Sequence, residues 1–325
     1  MKISLAKLAV IWQVASKNIW LLATLSFTLI TLAGYFGKLH FILEQTSHLR
    51  LHYLLVNICL MVVLLWLARQ AKIALAFCAF CLVINLAEIV PWYLPLWGNN
   101  PSMTGQNLRV VASNVLRSNI DYSRVISWVR QEQPDLAVFL EIHNDWSREL
   151  EKVKDILPYS LSYPQDGYYG VAIYSKLPLE NGIYQEFGVK GIVSIVADVT
   201  VRGKKVTVIG THPAAPLKVK YFHWRNIQLG EMSRYVSQLN QPTIVIGDLN
   251  ITMWSPYYKD FIASTGMRNA RKGFGVQPTW YKKSPIFAIP LDHCLVSPEI
   301  QVLNSGVGDN VGSDHLPIIV DLAIN

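Results

Sequence analysis

Negative charge is nearly missing from the first third of the chain. Among residues 1–106 only Glu44 and Glu88 are acidic, against seven lysines and arginines, so this part holds +5 of a formal net charge of +7. The other 219 residues are close to neutral, which excludes reading the net charge as a nucleic-acid-binding face. Cysteine is also scarce, at four in 325 residues. Cys59, Cys78 and Cys81 lie in apolar runs, and Cys294 stands alone in the rest. No disulfide framework is implied, and the greasy flanks of Cys78 and Cys81 argue for packing rather than a redox or zinc pair. One isolated cysteine in the larger part is compatible with an oxidising compartment. Internal repeats and low-complexity tracts are absent, which excludes a solenoid.

What is present in excess is apolar sequence, 51% of the chain. Trp20 to Phe36, Leu51 to Leu67 and Ile73 to Leu86 carry no charge, and the last continues past Glu88 to Leu96. Each approaches the ~20 residues that cross a bilayer as a helix. Three such segments in series, with no polar face, predict a membrane anchor over residues 1–97, with helices at 20–37, 51–67 and 73–96. The alternative is two crossings and one interfacial helix. Glu88, Pro91 and Pro95 place the third segment's end at an interface or against another helix. Ile3 to Val14, with Lys2 and Lys7, reads as a stretch lying flat on the membrane. No small-residue cleavage site follows the first apolar run, so it is not a signal peptide. Lys2, Lys7 and Lys17 before the first helix, and Arg69 and Lys72 before the third, orient the N-terminus to the cytoplasm. In the link between the first two helices, Lys38 and Arg50 are partly offset by Glu44. Three crossings then place the remainder outside the cytoplasm, as a multi-pass protein of the inner (plasma) membrane with a periplasmic or extracytoplasmic domain.

Residues 98–106 form a polar linker with Gly and Pro, and 107–325 suit one α/β domain. Strands are expected at Leu108 to Ala112, Leu136 to Leu140, Tyr169 to Ser175, Ile192 to Val201, Lys205 to Gly210, Thr243 to Ile246, Leu291 to Val296 and Ile318 to Leu322. Helices are expected at Tyr122 to Gln133, capped by Asp121, and at Trp146 to Leu157, Trp224 to Leu239 and Tyr257 to Ser264.

Six times a strand delivers a polar residue near its end or start: Asn114, Glu141, His212, Asp248 with Asn250, Asp292, and Asp314 with His315. Each alone has an ordinary explanation as a turn former, a cap or a loop filler. Together, on sheet edges, they form a constellation. Glu141 and Asp314 are hard oxygen donors suited to Mg2+ or Mn2+. Zinc fits less well, because three clustered His or Cys ligands are missing. Asp248 could orient and deprotonate a water. Asn114, Asn250, His212 and His315 could donate to phosphate oxygens and a leaving group, and Asp292 could hold the His315 imidazole. This chemistry fits metal-assisted hydrolysis of a phosphate ester.

Ser113-Asn114-Val115, Leu140-Glu141, Gly210-Thr211-His212-Pro213, Gly247-Asp248-Leu249-Asn250, Leu291-Asp292-His293 and Gly312-Ser313-Asp314-His315 resemble, in order and spacing, the motifs of the endonuclease/exonuclease/phosphatase superfamily. The resemblance covers about Leu108 to Leu322. Membrane-tethered bacterial members carry a similar Pro-Thr-Trp, here before Tyr281, followed by an Asp-His strand. The resemblance implies a four-layer α/β/β/α sandwich of two mixed sheets, like that of pancreatic deoxyribonuclease. It implies Glu141 as main metal ligand, assisted by Asn114 and Asp314, and Asp248 as the residue aligning water. It implies Asn250 on a phosphate oxygen, His315 with Asp292 on the transition state, and His212 on the leaving-group side.

Beyond the motifs, Lys218, Lys220, His223, Trp224, Arg225 and Arg234 could bind a phosphate-rich substrate, with Arg225 the leading candidate. Arg271-Lys272-Gly273 and Thr279-Trp280-Tyr281 form a second candidate loop. His293 should face away from Asp292 and be structural, and His143 is assigned to a loop. The expected partners are a phosphoester, from a lipid head group, nucleotide or nucleic acid, and the bilayer itself, with no obligate protein partner evident. A non-catalytic membrane adaptor on the same fold is the competing reading.

Overall fold

The computed structural model describes residues 5–67, 71–94, 106–280 and 284–324. The expected linker falls outside them except for Gln106, as do Arg69, Pro95 and Tyr281. The chain forms two compact units. One runs to Pro91 and includes Trp254–Pro256, and the other comprises Trp92–Met253 and the chain from Tyr257 onward.

The first unit is helical: α1 (Leu5–Ala33), α2 (Phe41–Ser47), α3 (Arg50–Leu67) and α4 (Lys72–Ile89). Two helical stretches, Asn18–Phe36 and Lys72–Trp92, are long and apolar enough to cross a membrane. A third crossing requires α2 and α3 to act as one span bent by 68°. The segment expected to lie flat before the first crossing is continuous with it, because α1 runs unbroken from Leu5. His40 starts α2 by accepting the Ile42 N–H at its Nδ1 (3.2 Å). Arg50, counted above as a link charge, instead opens α3 and is 1% exposed. Its Nη1 donates to the Thr31 carbonyl (3.0 Å), and its guanidinium stacks over Tyr35 at 4.3 Å. Charges buried among apolar helices are usually paired in this way.

The second unit contains twelve described strands. In chain order they are β1 (Gln106–Asn114), β2 (Leu136–Leu140), β3 (Tyr159–Tyr163), β4 (Val171–Ser175), β5 (Glu180–Glu186), β6 (Val193–Val201), β7 (Lys204–Gly210), β8 (Thr243–Asp248), β9 (Arg268–Asn269), β10 (Asp292–Val296), β11 (Ile300–Val307) and β12 (Ile318–Ile324). They make two six-stranded sheets, ordered β11-β12-β1-β2-β4-β3 and β5-β6-β7-β8-β10-β9. Both sheets are mixed, as expected. Each has one parallel pair at its centre, β1 with β2 and β7 with β8, flanked by antiparallel neighbours.

Strand alternation builds the layers. Leu108, Val110 and Ala112 of β1 join Ile195, Val208, Ile244 and Ile246 in one core that takes residues from both sheets. The intervening Val111 faces the other way, onto Val125, Trp128 and Val129 of α5 (Tyr122–Glu132) and Trp146 of α6 (Asn144–Leu150). α5 begins where Asp121 accepts the Arg124 N–H (3.3 Å), the cap read from sequence. α6 ends seven residues before its expected limit and passes into a 3-10 turn, Glu151–Val153. α7 (Val219–Ser237) starts five residues earlier than expected, and α8 (Pro256–Thr265) matches within a residue.

Gly247 fixes the end of β8. Its φ is +148°, and an added Cβ would lie 2.1 Å from the Thr211 carbonyl oxygen. Only glycine lets the two strand ends approach this closely. Gly247→Ala is expected to cost about 3 kcal/mol or more of unfolding free energy, read by thermal or denaturant melts of the full-length protein in detergent; a melt like the wild type would refute this.

Candidate active site

The parallel pairs bring four polar residues to strand C-termini. Asn114 ends β1 beside Leu140, so Glu141 follows directly on β2. Thr211-His212 follow β7, and Asp248 ends β8. Asp292 starts β10 directly opposite Asp248. Asp314 and His315 precede β12, the antiparallel neighbour of β1.

These residues meet. His212 Nε2 and His315 Nε2 approach Asp248 Oδ2 at 3.4 and 3.6 Å. Asn114 Nδ2 donates to the same oxygen at 3.2 Å and to Glu141 Oε1 at 3.0 Å. Glu141 Oε2 accepts the Arg117 N–H (3.0 Å), which leaves its carboxylate held but 9% exposed. His315 Nδ1 bonds Asp292 Oδ2 at 2.8 Å. Asp248, Asp292 and His315 form a buried group whose ligand atoms lie within 4.8 Å of one another. His212 is oriented from behind by the Tyr168 carbonyl, 3.0 Å from Nδ1. Asp314 is half-buried, and its Oδ2 accepts from Trp280 Nε1 (3.1 Å).

Two of these residues adopt backbone conformations that side chains seldom take: Glu141 at φ +63° and Asn250 at φ +51°. Such strain is held only where surrounding bonds over-determine it. Around Asn250 they do. Its N–H donates to Asp248 Oδ1 (2.9 Å), its amide to the Pro213 carbonyl (3.0 Å), and its carbonyl accepts from Arg225 Nη1 (3.1 Å). The next carbonyl, of Ile251, accepts from His293 Nε2 (2.7 Å).

These supports change three expectations. Arg225 is 0% exposed and grips the Asn250 loop, so it does not offer its guanidinium to a substrate in the open. Arg271 is 2% exposed and donates to the carbonyls of Val276 (2.7 Å), Gln277 and Asp292. Its charge is spent on the chain that carries Asp292. Asn114 turns its Oδ1 to the Leu116 N–H (3.1 Å) and its amide nitrogen to the carboxylates, so metal ligation through oxygen would need the amide reversed. Two expectations hold: His293 is fully buried away from the cluster, and His143 caps α6 by accepting the Asp145 N–H. Sequence reading missed the Tyr168 carbonyl and Ser313, whose hydroxyl accepts the His315 N–H (3.1 Å). Backbone acceptors leave no trace in side-chain patterns.

The electrostatics follow from burial and pairing. Burial alone would depress the His315 pKa, but the charges of Asp292 and Asp248 outweigh it and push it up to about 10. His212 moves upward too, the bond and charge of Asp248 exceeding desolvation. Asp248 would rise by burial, yet His315 and His212 hold it below the usual carboxylate range. His293 is the contrast, since burial and the nearby Arg271 lower it to about 3. It stays neutral, with Asn269 donating to Nδ1 and Nε2 donating to Ile251.

The donor set fits a divalent cation. Asp248 and Asp292 offer hard oxygens beside His315, the three ligand atoms lying within 4.8 Å of one another, and Asp292 Oδ1 is buried without a hydrogen-bond partner; Glu141 and Asp314, the ligands expected from sequence, stand outside that group.

Residues 105–315 match the model of the endonuclease/exonuclease/phosphatase family. The chain belongs to that family. A search of curated proteins found no match. Among solved structures, an endonuclease/exonuclease/phosphatase from Beutenbergia cavernae is 21% identical, with TM-score 0.57, covering 68% of this chain and 72% of its own. D. rerio TDP2 complexed with a single-strand DNA product is 17% identical, with TM-score 0.56, covering 67% and 99%. The human Nocturnin catalytic domain with bound sulfate is 18% identical, with TM-score 0.55, covering 69% and 99%. At these identities the likeness concerns the fold.

The paired histidine sets a pH dependence of stability. His315 has a folded pKa near 10 against an ordinary 6.5, so its contribution is complete below about 6.5 and is lost as pH rises through about 10. In metal-free buffer, wild-type protein should lose melting temperature between about pH 7 and pH 10.5 more steeply than His315→Gln. Parallel profiles would contradict the pairing.

Proposed function

We propose that this protein is a membrane-anchored, divalent-metal-dependent phosphodiesterase. The observation that carries the reading is the convergence of two imidazoles and one amide on a single Asp248 oxygen, with Glu141 beside it. An isolated acid-rich turn would not align three donors with one acceptor. The adaptor reading has no use for two buried histidines gathered on one carboxylate oxygen, with the His315 pKa pushed up to about 10 and that of His212 raised as well.

In the proposed reaction, Asp248 orients the attacking water and takes its proton as oxygen bonds to phosphorus. Its depressed pKa makes it a stronger positioner than base. The P–O bond to the leaving group breaks, and an imidazolium returns a proton to that oxygen; His212 is the assigned donor. His315, kept charged by Asp292, donates to the negative charge developing on the phosphoryl oxygens, and Asn250 donates to another. A bound Mg2+ or Mn2+ would supply charge neutralisation at a non-bridging oxygen, with Glu141, Asp314 and a reversed Asn114 amide as its ligands.

The substrate we favour is a phosphodiester of a lipid head group, because helices able to cross a bilayer sit in the same chain. A nucleic acid is the second reading, supported by the DNA product named for the D. rerio structure. The helices and their basic flanks support placement in the inner membrane with the second unit outside the cytoplasm.

Purified full-length protein with Mg2+ should hydrolyse bis(4-nitrophenyl) phosphate and stop on chelation with EDTA. Asp248→Asn and His315→Gln should each lower kcat by about a thousandfold; unchanged turnover in either would end the proposal. Phospholipid vesicles and plasmid, offered side by side, separate the two substrate classes.

A further inference from the structure

Where the loop that leaves His212 enters α7, four consecutive residues are exposed: Leu217 and Lys218 in the loop, Val219 and Lys220 in the first turn of the helix. Leu217 is 79% exposed and Val219 51%. A lone exposed leucine means little, but these two alternate with lysines across the start of α7. Beneath them lies an apolar cluster of Val189, Ile192 and Ala214, with Tyr169, Tyr221 and Trp224 partly buried against it. Lys220 Nζ stands over the Trp224 ring at 4.4 Å, and Lys190 is exposed on the neighbouring loop. No aspartate or glutamate occurs in residues 187–197 or 211–230. In a domain that is nearly neutral as a whole, the stretch from Thr211 to Gly230 carries only basic charge, while Glu186 accepts the Gly191 N–H on the neighbouring loop (2.6 Å).

We propose that this face docks on an anionic bilayer surface. Lysines are drawn to anionic head groups, aliphatic side chains between them enter the acyl boundary, and tyrosine and tryptophan suit the layer between. A nucleic-acid groove would offer a series of open aromatic faces for bases; here the residues at the start of α7 are aliphatic, Tyr169, Tyr221 and Trp224 are half-covered, and only Tyr168 beside them is well exposed. The bilayer is also the partner at hand, given the apolar helices of the same chain. The loop begins at Pro213, and the Tyr169 ring lies 6.0 Å from that of His212. Docking therefore brings the His212 side of the site to the head-group layer. The proposal rests on the membrane-bound reading above but not on turnover.

The test is hydrogen exchange of the 213–224 segment in full-length protein held in nanodiscs. Discs of phosphatidylcholine alone are compared with discs in which about one lipid in three is phosphatidylglycerol. The wild type is expected to exchange about fivefold more slowly in this segment on the anionic discs. Leu217→Asp, and separately Lys218→Glu with Lys220→Glu, should abolish the difference while β8 stays protected. Asp248→Asn, inactive under the proposed function, should keep the difference, so a failure of docking and a failure of catalysis are told apart. Equal exchange on both kinds of disc, or slowing that arises only when single-stranded DNA is added, overturns the proposal.

Discussion

Parallel pairing of neighbouring strands forces their C-terminal ends to one edge. In this protein each sheet has one such pair, and every other pairing described is antiparallel. Asn114 and Glu141 leave the first pair, and His212 and Asp248 leave the second. The antiparallel neighbours then contribute from their starts, which lie at the same edge: Asp292 opposite Asp248, and His315 before the strand that pairs with β1. Residues spread over two hundred positions converge because of strand direction. No long loop is needed to bring them together, and a site built on strand ends is held more tightly than one built on loops.

Such convergence is costly. Asp248, Asp292, His212 and His315 are each at most 5% exposed, and burying ionised groups is unfavourable unless they are paired. The chain offsets the cost by placing each imidazole against a carboxylate, and two buried arginines bond the main chain beside the cluster. Arg225 holds Asn250, and Arg271 holds Asp292. Asp292 Oδ1 is left without a hydrogen-bond partner, open to a cation. The strained φ values at Glu141 and Asn250 belong to the same economy of fixed positions: a rigid frame keeps them where a relaxed loop would not.

The fold was largely legible, and the strands that were not share one property. The strands unread in the sequence are β3, β5, β9 and β11, and these are the four edge strands of the two sheets. An edge strand is covered on fewer sides. β5 is exposed at six of its seven residues, and β9 has only two residues, so neither alternation nor an apolar run marks it. The central strands β2, β4 and β8 are buried at every position and announce themselves as short apolar runs. The candidate site was legible for a related reason: its side chains sit at the ends of those central strands. Arg225 and Arg271 were misread because a basic residue near a phosphate site looks the same in sequence whether it faces outward or grips a carbonyl from behind. His293 was legible because strand alternation alone turns it away from Asp292.

Charge distribution ties the two units to one function. A phosphodiesterase acting on free polyanions gains from a broad positive field that steers substrate to it. Here most of the net positive charge belongs to residues 1–106. The residues after 106 are close to neutral, and Lys218 and Lys220 stand in a stretch without acidic residues on the way from His212 into α7. Under the proposed function the domain is tethered to its substrate surface and does not need long-range capture, because tethering already supplies a high effective concentration. Local contacts that orient the domain on the surface would then be the remaining requirement, and the basic and aliphatic residues at the start of α7, on the loop that leaves His212, are the proposed source of them.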